Sequence, residues 1–421
     1  MSWRAYTKYR DSGVGWLGSV PDSWPVLPVK RRFRVTVGKM LNAGAATEGG
    51  ELVPYLRAGN VQPDGLDLAE VKHIRLTATE RKALDLCRGD LVVVEGGAGY
   101  GRSAFLNEDM PGWAFQNHIL RVRPTAEDSG EFLGYVIQTL NSMGHIASMS
   151  NHATIPSLSS EQLARIQVPL PCGDTQRAIL AFLDRETSKI DALIAKQEQL
   201  IATLQERRSV VADQLLNPPG LLHPLKRIVA DVTVGIVVTP AAWYADEGVP
   251  ALRGLNIRPG LVTSEDLVYL TPEGDALHAK SRLRVGDVVM VRTGQAGAAA
   301  VIPKQLSGSN AIDLLIVRPG AKADPDFLAA YFNAPSTREK IAHGSVGAIQ
   351  GHFNVSALRE LEFPSIDIAE QRRRAEEWSI QAANIDALIA KTEAFIELSR
   401  EYRSALITDA VTGKIDVRGA A

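Results

Sequence analysis

Apolar residues in two long segments of this chain recur at alternating steps of three and four, the spacing of a helix with an apolar seam for a partner helix. In the first segment the seam reads Leu183, Ile190, Leu193, Gln197, Leu200, Leu204, Val211 and Leu215. In the second it reads Trp378, Ile385, Leu388, Thr392, Phe395, Tyr402 and Leu406. Both contain the same heptapeptide, once as Ile190-Asp191-Ala192-Leu193-Ile194-Ala195-Lys196 and again as Ile385-Asp386-Ala387-Leu388-Ile389-Ala390-Lys391. Asp367 with Glu370 predicts a capping box at the second helix start, whereas Asp174 has no acidic residue at that spacing. Asn217-Pro218-Pro219-Gly220 stops the first helix, because proline removes a donor and clashes with the preceding turn. From Asp174 to Leu216 such a helix would reach roughly 60 Å. A stripe of that length needs a partner of similar length, and its own repeat is the nearest; a small domain offers too short a groove. Antiparallel pairing would set the preceding domains at opposite ends, around an approximate two-fold axis.

The pattern ahead of each helix has a different period. Gly89-Asp90 feeds the run Leu91 to Val94 and Gly286-Asp287 feeds Val288 to Val291, each a turn followed by a buried strand. Pro28, Lys30 and Arg31 match Pro224, Lys226 and Arg227, and Val35-Thr36-Val37-Gly38 matches Val232-Thr233-Val234-Gly235. Val53-Pro54-x-Leu56-Arg57-x-x-Asn60 returns as Val249-Pro250-x-Leu252-Arg253-x-x-Asn256, and Leu120-Arg121-Val122-Arg123-Pro124 as Leu315-Ile316-Val317-Arg318-Pro319. A short helix follows in each half, Phe132 to Met143 and Phe327 to His343. The chain is thus expected to be an internally duplicated α+β protein. Its parts are a lead-in at 1–27 that docks Trp3, Trp16 and Trp24 on the folded body, a β-rich domain at 28–172, and a long helix at 173–217. A second β-rich domain at 218–366, a second long helix at 367–411 and a tail at 412–421 complete it.

Composition adds bounds. With 421 residues, 45% hydrophobic and 22% charged, the chain is an ordinary globular protein long enough for two or three domains. Only Cys87 and Cys172 are present, there is no signal-peptide pattern and no membrane-length apolar run, so a reducing cytoplasm is expected. A net charge of −2 argues mildly against a protein that is basic all over. The first forty residues nevertheless gather Arg4, Lys8, Arg10, Lys30, Arg31, Arg32, Arg34 and Lys39, which reads first as a solvated face and second as a patch for an anionic partner.

Two stretches invite an enzyme reading. Glu95-Gly96-Gly97-Ala98-Gly99-Tyr100-Gly101 fits the loop with which methyltransferases cradle adenosylmethionine, and Asn217-Pro218-Pro219 fits the start of an amino-methyltransferase motif. Both weaken: Gly220 stands where an aromatic would stack on a flipped base, and the equivalent loop, Arg292-Thr293-Gly294-Gln295-Ala296-Gly297, loses the pattern. No βαβ alternation follows Arg102. No P-loop, nucleophile elbow or metal-ligand spacing is present, and His118, His145 and His152 have no partner at suggestive spacing. No catalytic or metal site is expected, and binding is the better reading. Because the framework repeats while the loops vary, the binding surface belongs on the loops: Arg57, Asn60, Tyr100, Arg102, Asn151, His152 and Thr154 in the first half, and Arg253, Asn256, Arg292, Gln295, Gln350, His352 and Asn354 in the second. Arg, Asn and Gln read base edges bidentately. The recurrence of Arg57 and Asn60 as Arg253 and Asn256 leaves a structural role equally open.

The opening Gly15-Trp16-Leu17-Gly18-x-x-Pro21, the paired β-rich units, Gln176-Arg177 and Gln371-Arg372 at the helix starts, and the closing Thr412-Gly413-Lys414-Ile415-Asp416-Val417-Arg418 together closely resemble the specificity subunit of type I restriction-modification systems, over essentially the whole chain. The resemblance implies a non-catalytic DNA reader with two target-recognition domains, each binding half of a bipartite site in the major groove. An antiparallel coiled-coil spacer would hold the heads apart and set the gap. It further implies two methyltransferase subunits and translocating endonuclease subunits as partners, with adenosylmethionine and ATP on those partners and no cofactor in this chain. The alternative is a stand-alone adenosylmethionine-dependent DNA methyltransferase.

Overall fold

The structure is a computed structural model that describes residues 3–40, 50–63, 65–97, 99–149, 157–238, 240–293, 296–344 and 353–418. The first repeat builds strands β1 (Phe33–Val37), β2 (Glu51–Leu56), β3 (Lys72–Leu76), β4 (Leu91–Val94), β5 (Ser103–Phe105), β6 (Ala114–Phe115) and β7 (Ile119–Pro124), then helices α1 (Gly130–Ser142) and α2 (Gly173–Leu216). The second builds β8 (Asp231–Val234), β9 (Val249–Leu252), β10 (Val268–Leu270), β11 (Val288–Val291), β12 (Ala299–Val301), β13 (Asn310–Ala311) and β14 (Leu314–Arg318), then α3 (Pro325–Asn333) and α4 (Ile368–Val411). The helix expected from Phe327 to His343 is two helices, because Pro335 ends α3 and opens a separate helix at Pro335–Gly344.

The duplication is a duplication of sheets. One antiparallel sheet has the order β5-β4-β7-β1 and its counterpart β12-β11-β14-β8. Beside each lies a second sheet, β6-β2-β3 in the first repeat and, in the second, the strand Tyr244–Ala245 followed by β10-β9-β13. In both second sheets one edge is parallel, Tyr55 pairing with Ala114 and Ala251 with Asn310. The uniformly apolar strand in each half is buried on both faces. Leu91 and Val93 pack with α1 residues Phe132, Leu133 and Val136, while Val92 and Val94 pack with Val53, Leu56 and Phe115 of the second sheet. Val288 and Met290 meet α3, and Val289 and Val291 meet the other side, in the same alternation.

The chain forms two compact units, Met1–Lys196 with Phe395–Ala421, and Gln197–Ala394. Each unit therefore owns a β-rich domain and a stretch of both long helices. In the first, Leu406, Ile407, Ala410 and Val411 at the end of α4 share a core with Ile179, Phe182 and Leu183 near the start of α2. In the second, Ala375 and Trp378 near the start of α4 share one with Ala212, Leu215 and Leu216 at the end of α2. The repeated heptapeptide has a reciprocal use: Asp191 accepts from Arg403 Nε at 2.9 Å, and Asp386 accepts from Arg208 Nε at 2.8 Å.

One of the two heptad positions of the expected seam is covered and the other lies one residue away. Leu183, Ile190, Gln197, Leu204, Val211, Leu215, Trp378, Ile385, Thr392 and Leu406 are buried or half-buried, but Leu193, Leu200, Leu388, Phe395 and Tyr402 are exposed. The covered positions are Leu183, Thr187, Ile190, Ile194, Gln197, Ile201 and Leu204 in α2, and Trp378, Ala382, Ile385, Ile389, Thr392, Ile396 and Ser399 in α4. These alternate strictly by four and three. Thr187, Thr392 and Ser399 fit because each hydroxyl donates to the carbonyl four residues earlier, satisfying itself inside the helix.

The helix starts explain the repeated glutamine. Gln176, 1% exposed, accepts from Ser129 N–H at 2.8 Å and donates to Asp128 Oδ1 and the Pro171 carbonyl, both at 2.9 Å. Gln371, 0% exposed, accepts from Asp324 N–H at 2.9 Å and donates to the carbonyls of Lys322 and Ile366 at 2.9 and 3.1 Å. Each locks the first turn of a long helix to the cap of the short helix before it. At α4 only half of the expected capping box forms: Asp367 accepts from Glu370 N–H at 2.8 Å, while the Glu370 carboxylate turns to Arg373 and Arg374. Those two guanidiniums hold the Glu370 carboxyl down at about 2.

The lead-in packs as its aromatics suggest. Tyr6 and Trp24 are buried in the first unit's core and Trp3 meets Phe182 edge-on, with ring centroids 4.8 Å apart. The tail closes over them. Tyr9 Oη donates to the Gly413 carbonyl at 3.0 Å, and the Arg418 guanidinium lies 4.7 Å from the centre of the Tyr6 ring. Gly413 has φ +75°, and a Cβ there would stand 2.5 Å from Pro21 Cδ, so the residue just past the end of α4 is glycine for two reasons.

Candidate nucleic-acid interface

Polar residues that recur in both halves are spent on the frame. Asn60 accepts from Arg57 N–H at 3.0 Å and donates to the carbonyls of Asp67 and Glu70 at 2.8 and 3.3 Å. Asn256 accepts from Arg253 N–H at 2.9 Å and donates to the Glu265 carbonyl at 2.7 Å. Both asparagines are buried, and both clamp the loop that follows them. Arg57 pairs with Glu70, and Arg253 Nη2 donates to the Asp266 carbonyl at 2.8 Å. Of the two roles the sequence left open for these four residues, the geometry supports the structural one. The recurring Gly-Asp and Arg-Pro are likewise partners: Arg123 donates to Asp90 from Nε at 2.6 Å and Nη2 at 2.7 Å, and the equivalent Arg318 lies 3.8 Å from Asp287.

The glycine-rich stretch is a β-hairpin. Val94 N–H donates to the Arg102 carbonyl at 2.8 Å and Gly101 N–H to the Val94 carbonyl at 2.9 Å, so β4 turns back antiparallel into β5. A nucleotide-cradling loop leads instead into a helix and a parallel strand. Asn217 is also accounted for, its Nδ2 donating to Thr337 Oγ1 at 3.3 Å where α2 stops.

The loops gather at one end of each main sheet. In the first unit Gly38 and Lys39 follow β1, Glu95 and Gly96 follow β4, and Gln116, Asn117 and His118 precede β7. Asn117 N–H donates to the Lys39 carbonyl at 2.9 Å, Glu95 N–H to the His118 carbonyl at 2.9 Å, and Gly96 bridges Ser157. The second unit repeats this with Gly235 and Ile236, Arg292 and Thr293, and Ile312 and Asp313. Asp313 N–H donates to the Ile236 carbonyl at 3.0 Å, and Phe353 N–H to the Arg292 carbonyl at 3.2 Å. The hairpin after the central strand and the segment before the last short helix, which the sequence singled out separately, thus adjoin in both units.

Asn151, His152, Thr154, Gln295, Gln350 and His352 lie outside the described residues. Tyr100 packs against the first core, and Arg102, in the hairpin beyond β4, lines a cavity with Glu131, Tyr135, Gln138 and Arg403. Burial, reinforced by nearby Asp184, pushes the Glu131 carboxyl up. Asn354 caps the helix Val355–Glu360, accepting from Ala357 N–H at 2.8 Å. Arg292 remains at the sheet end, its Nε 3.3 Å from Asp313 Oδ1. Sequence reasoning missed Gln116, Asn117, His118, Thr293 and Asp313. For all but Thr293 the available signal was position, just before the repeated Leu-x-Val-Arg-Pro, together with a change of residue type between halves. Electrostatically the first sheet end is mixed: Lys39 is paired with Glu80, whose carboxyl is held low mainly by that contact, while burial pushes the Glu95 carboxyl up against the opposing pull of His118.

The family model for the type I restriction modification DNA specificity domain matches residues 21–203. The type I restriction enzyme StySPI specificity subunit of Salmonella potsdam is 22% identical over 179 residues, 41% of this chain and only 38% of that protein. The type I restriction enzyme EcoKI specificity subunit of Escherichia coli (strain K12) is 22% identical over 355 residues, 76% of this chain and 74% of that protein. Among solved structures, a chain from work on assembly and conformational transition of the type I R-M system matches with TM-score 0.75 at 14% identity, covering 94% of this chain and 99% of that one. The HsdS subunit from Thermoanaerobacter tengcongensis matches with TM-score 0.58 at 16% identity, covering 94% and 98%. None of these supports the stand-alone methyltransferase. Residues 21–203 thus match the DNA specificity domain of type I restriction-modification systems, and the chain as a whole has the fold of the solved chains to which it is similar.

Proposed function

We propose that the chain reads a bipartite DNA site without itself catalysing a reaction, each β-rich domain binding one half in the major groove through its sheet-end loops. The observation that carries this is the pairing of an invariant frame with divergent loops at equivalent sheet ends. Asn60 and Asn256 do the same work in both units, whereas Gln116, Asn117 and His118 of one are replaced by Ile312 and Asp313 of the other. The long helices act as an antiparallel coiled-coil spacer. Its support is the strict four-three alternation of covered positions and the reciprocal Asp191–Arg403 and Asp386–Arg208 pairs, one within each unit.

The partners are two methyltransferase subunits, which supply adenosylmethionine and adenine methylation, and ATP-driven endonuclease subunits. The apolar residues that the seam leaves outside offer the methyltransferases an apolar face on each unit, in which Leu193 and Phe395 of one correspond to Leu388 and Leu200 of the other. Isothermal calorimetry and a binding assay test the division of labour. The purified chain is expected to bind no adenosylmethionine, and adding methyltransferase subunits is expected to produce both adenosylmethionine binding and sequence-dependent DNA affinity. Stoichiometric adenosylmethionine binding by the chain alone would favour the enzyme reading instead.

A further inference from the structure

Asp313 has φ +52°, a left-handed conformation that an L residue adopts at a cost and that glycine adopts freely. Its carboxylate gives the position a reason to be Asp. Oδ2 accepts from Thr293 Oγ1 at 3.0 Å, and Oδ1 lies 3.3 Å from Arg292 Nε. The Arg292 side chain is 19% exposed, and its Nε is buried with no aligned hydrogen bond, so the contact with Asp313 is one of charge and position. Among the described residues, the Nη nitrogens of Arg292 have no partner. A guanidinium fixed along one edge, with its terminal donors uncommitted at the sheet end, is the fork that matches guanine O6 and N7. The backbone hydrogen bonds make Asn117 the equivalent of Asp313: Asn117 N–H meets the Lys39 carbonyl as Asp313 N–H meets that of Ile236. The first unit therefore has a neutral amide where the second has an arginine holder.

Resting on the proposed function, we propose that Arg292 reads a guanine in the second half-site and that Asp313 is its positioning residue. The specificity of that half-site then depends on a strained aspartate that touches no base.

The test uses the full chain assembled with its methyltransferase subunits and a panel of DNA sites carrying every base at every position of both half-sites. The unmodified complex is expected to favour guanine at one position of the second half-site by about 10- to 100-fold. Arg292→Lys and Asp313→Ala each reduce that preference to about threefold or less, leaving the first half-site unchanged as the internal control. Asp313→Gly separates positioning from backbone strain, since it relieves the φ and removes the carboxylate. It is expected to lose the preference while the melting temperature holds or rises. The proposal is overturned if Asp313→Gly keeps the guanine preference, or if Arg292→Lys weakens binding uniformly across the panel, the mark of a phosphate contact. An unmodified complex with no two-part preference would instead sink the reading on which the proposal rests.

Discussion

Inserting three heptads into each long helix, after Lys196 and after Ala394, lengthens the unread gap of the target by about nine or ten base pairs and leaves both half-sites as they were. Twenty-one residues at ~1.5 Å per residue add about 31 Å of helix, and DNA rises ~3.4 Å per base pair. That is close to one turn of the duplex, so both heads return to the same face. A single heptad adds about three base pairs, which turns one half-site by roughly a quarter to a third of a turn. Methylation should then fall by an order of magnitude or more even at the best gap. Insertion in whole heptads matters because the covered positions alternate strictly by four and three, so seven residues return Gln197 and Ile396 to covered sites. Mapping methylated adenines with none, one and three heptads inserted checks the ruler; a gap that ignores helix length would count against it.

Replacing Gln371 or Gln176 by alanine has the largest expected effect on stability. Each side chain makes three hydrogen bonds in a site sealed from water, and truncation orphans a cap N–H and two acceptors at once. At about 1–3 kcal/mol for each buried group left unpaired, partly relieved by entering water, the loss is about 3 kcal/mol, or several degrees in melting temperature. The neighbouring Arg177, which completes the recurring Gln-Arg pair, is different. Its partner Asp174 and its own side chain are exposed at 88% and 68%, so Arg177→Ala should leave the melting temperature unchanged. Thermal unfolding of the three variants decides the matter, and equal losses for glutamine and arginine would contradict the buried-lock account.

The periodic parts of the fold were legible because repetition marks what packing requires. The two helices, the buried central strands and the glutamines all recur at corresponding positions. Phase was harder to read. Leu193 and Ile194, Leu200 and Ile201, Leu388 and Ile389, and Phe395 and Ile396 are adjacent apolar pairs, and three-four spacing fits either member. Isoleucine is inside in all four, and the polar Thr187, Thr392 and Ser399 complete the stripe by satisfying their hydroxyls within the helix, which hydropathy alone cannot show. At the candidate site the same logic worked in reverse. Arg57 and Asn60 recur with the loop they clamp, and the divergent Asn117 and Asp313 were passed over because their placement depends on a parallel pairing between segments far apart in the chain.

Genome-wide mapping of methylated adenine, in cells holding the methyltransferase subunits with and without this chain, tests the central claim most directly. The account predicts one asymmetric two-part site with a fixed gap, methylated only when the chain is present. Methylation that persists without the chain, or that follows a single uninterrupted site, would contradict it.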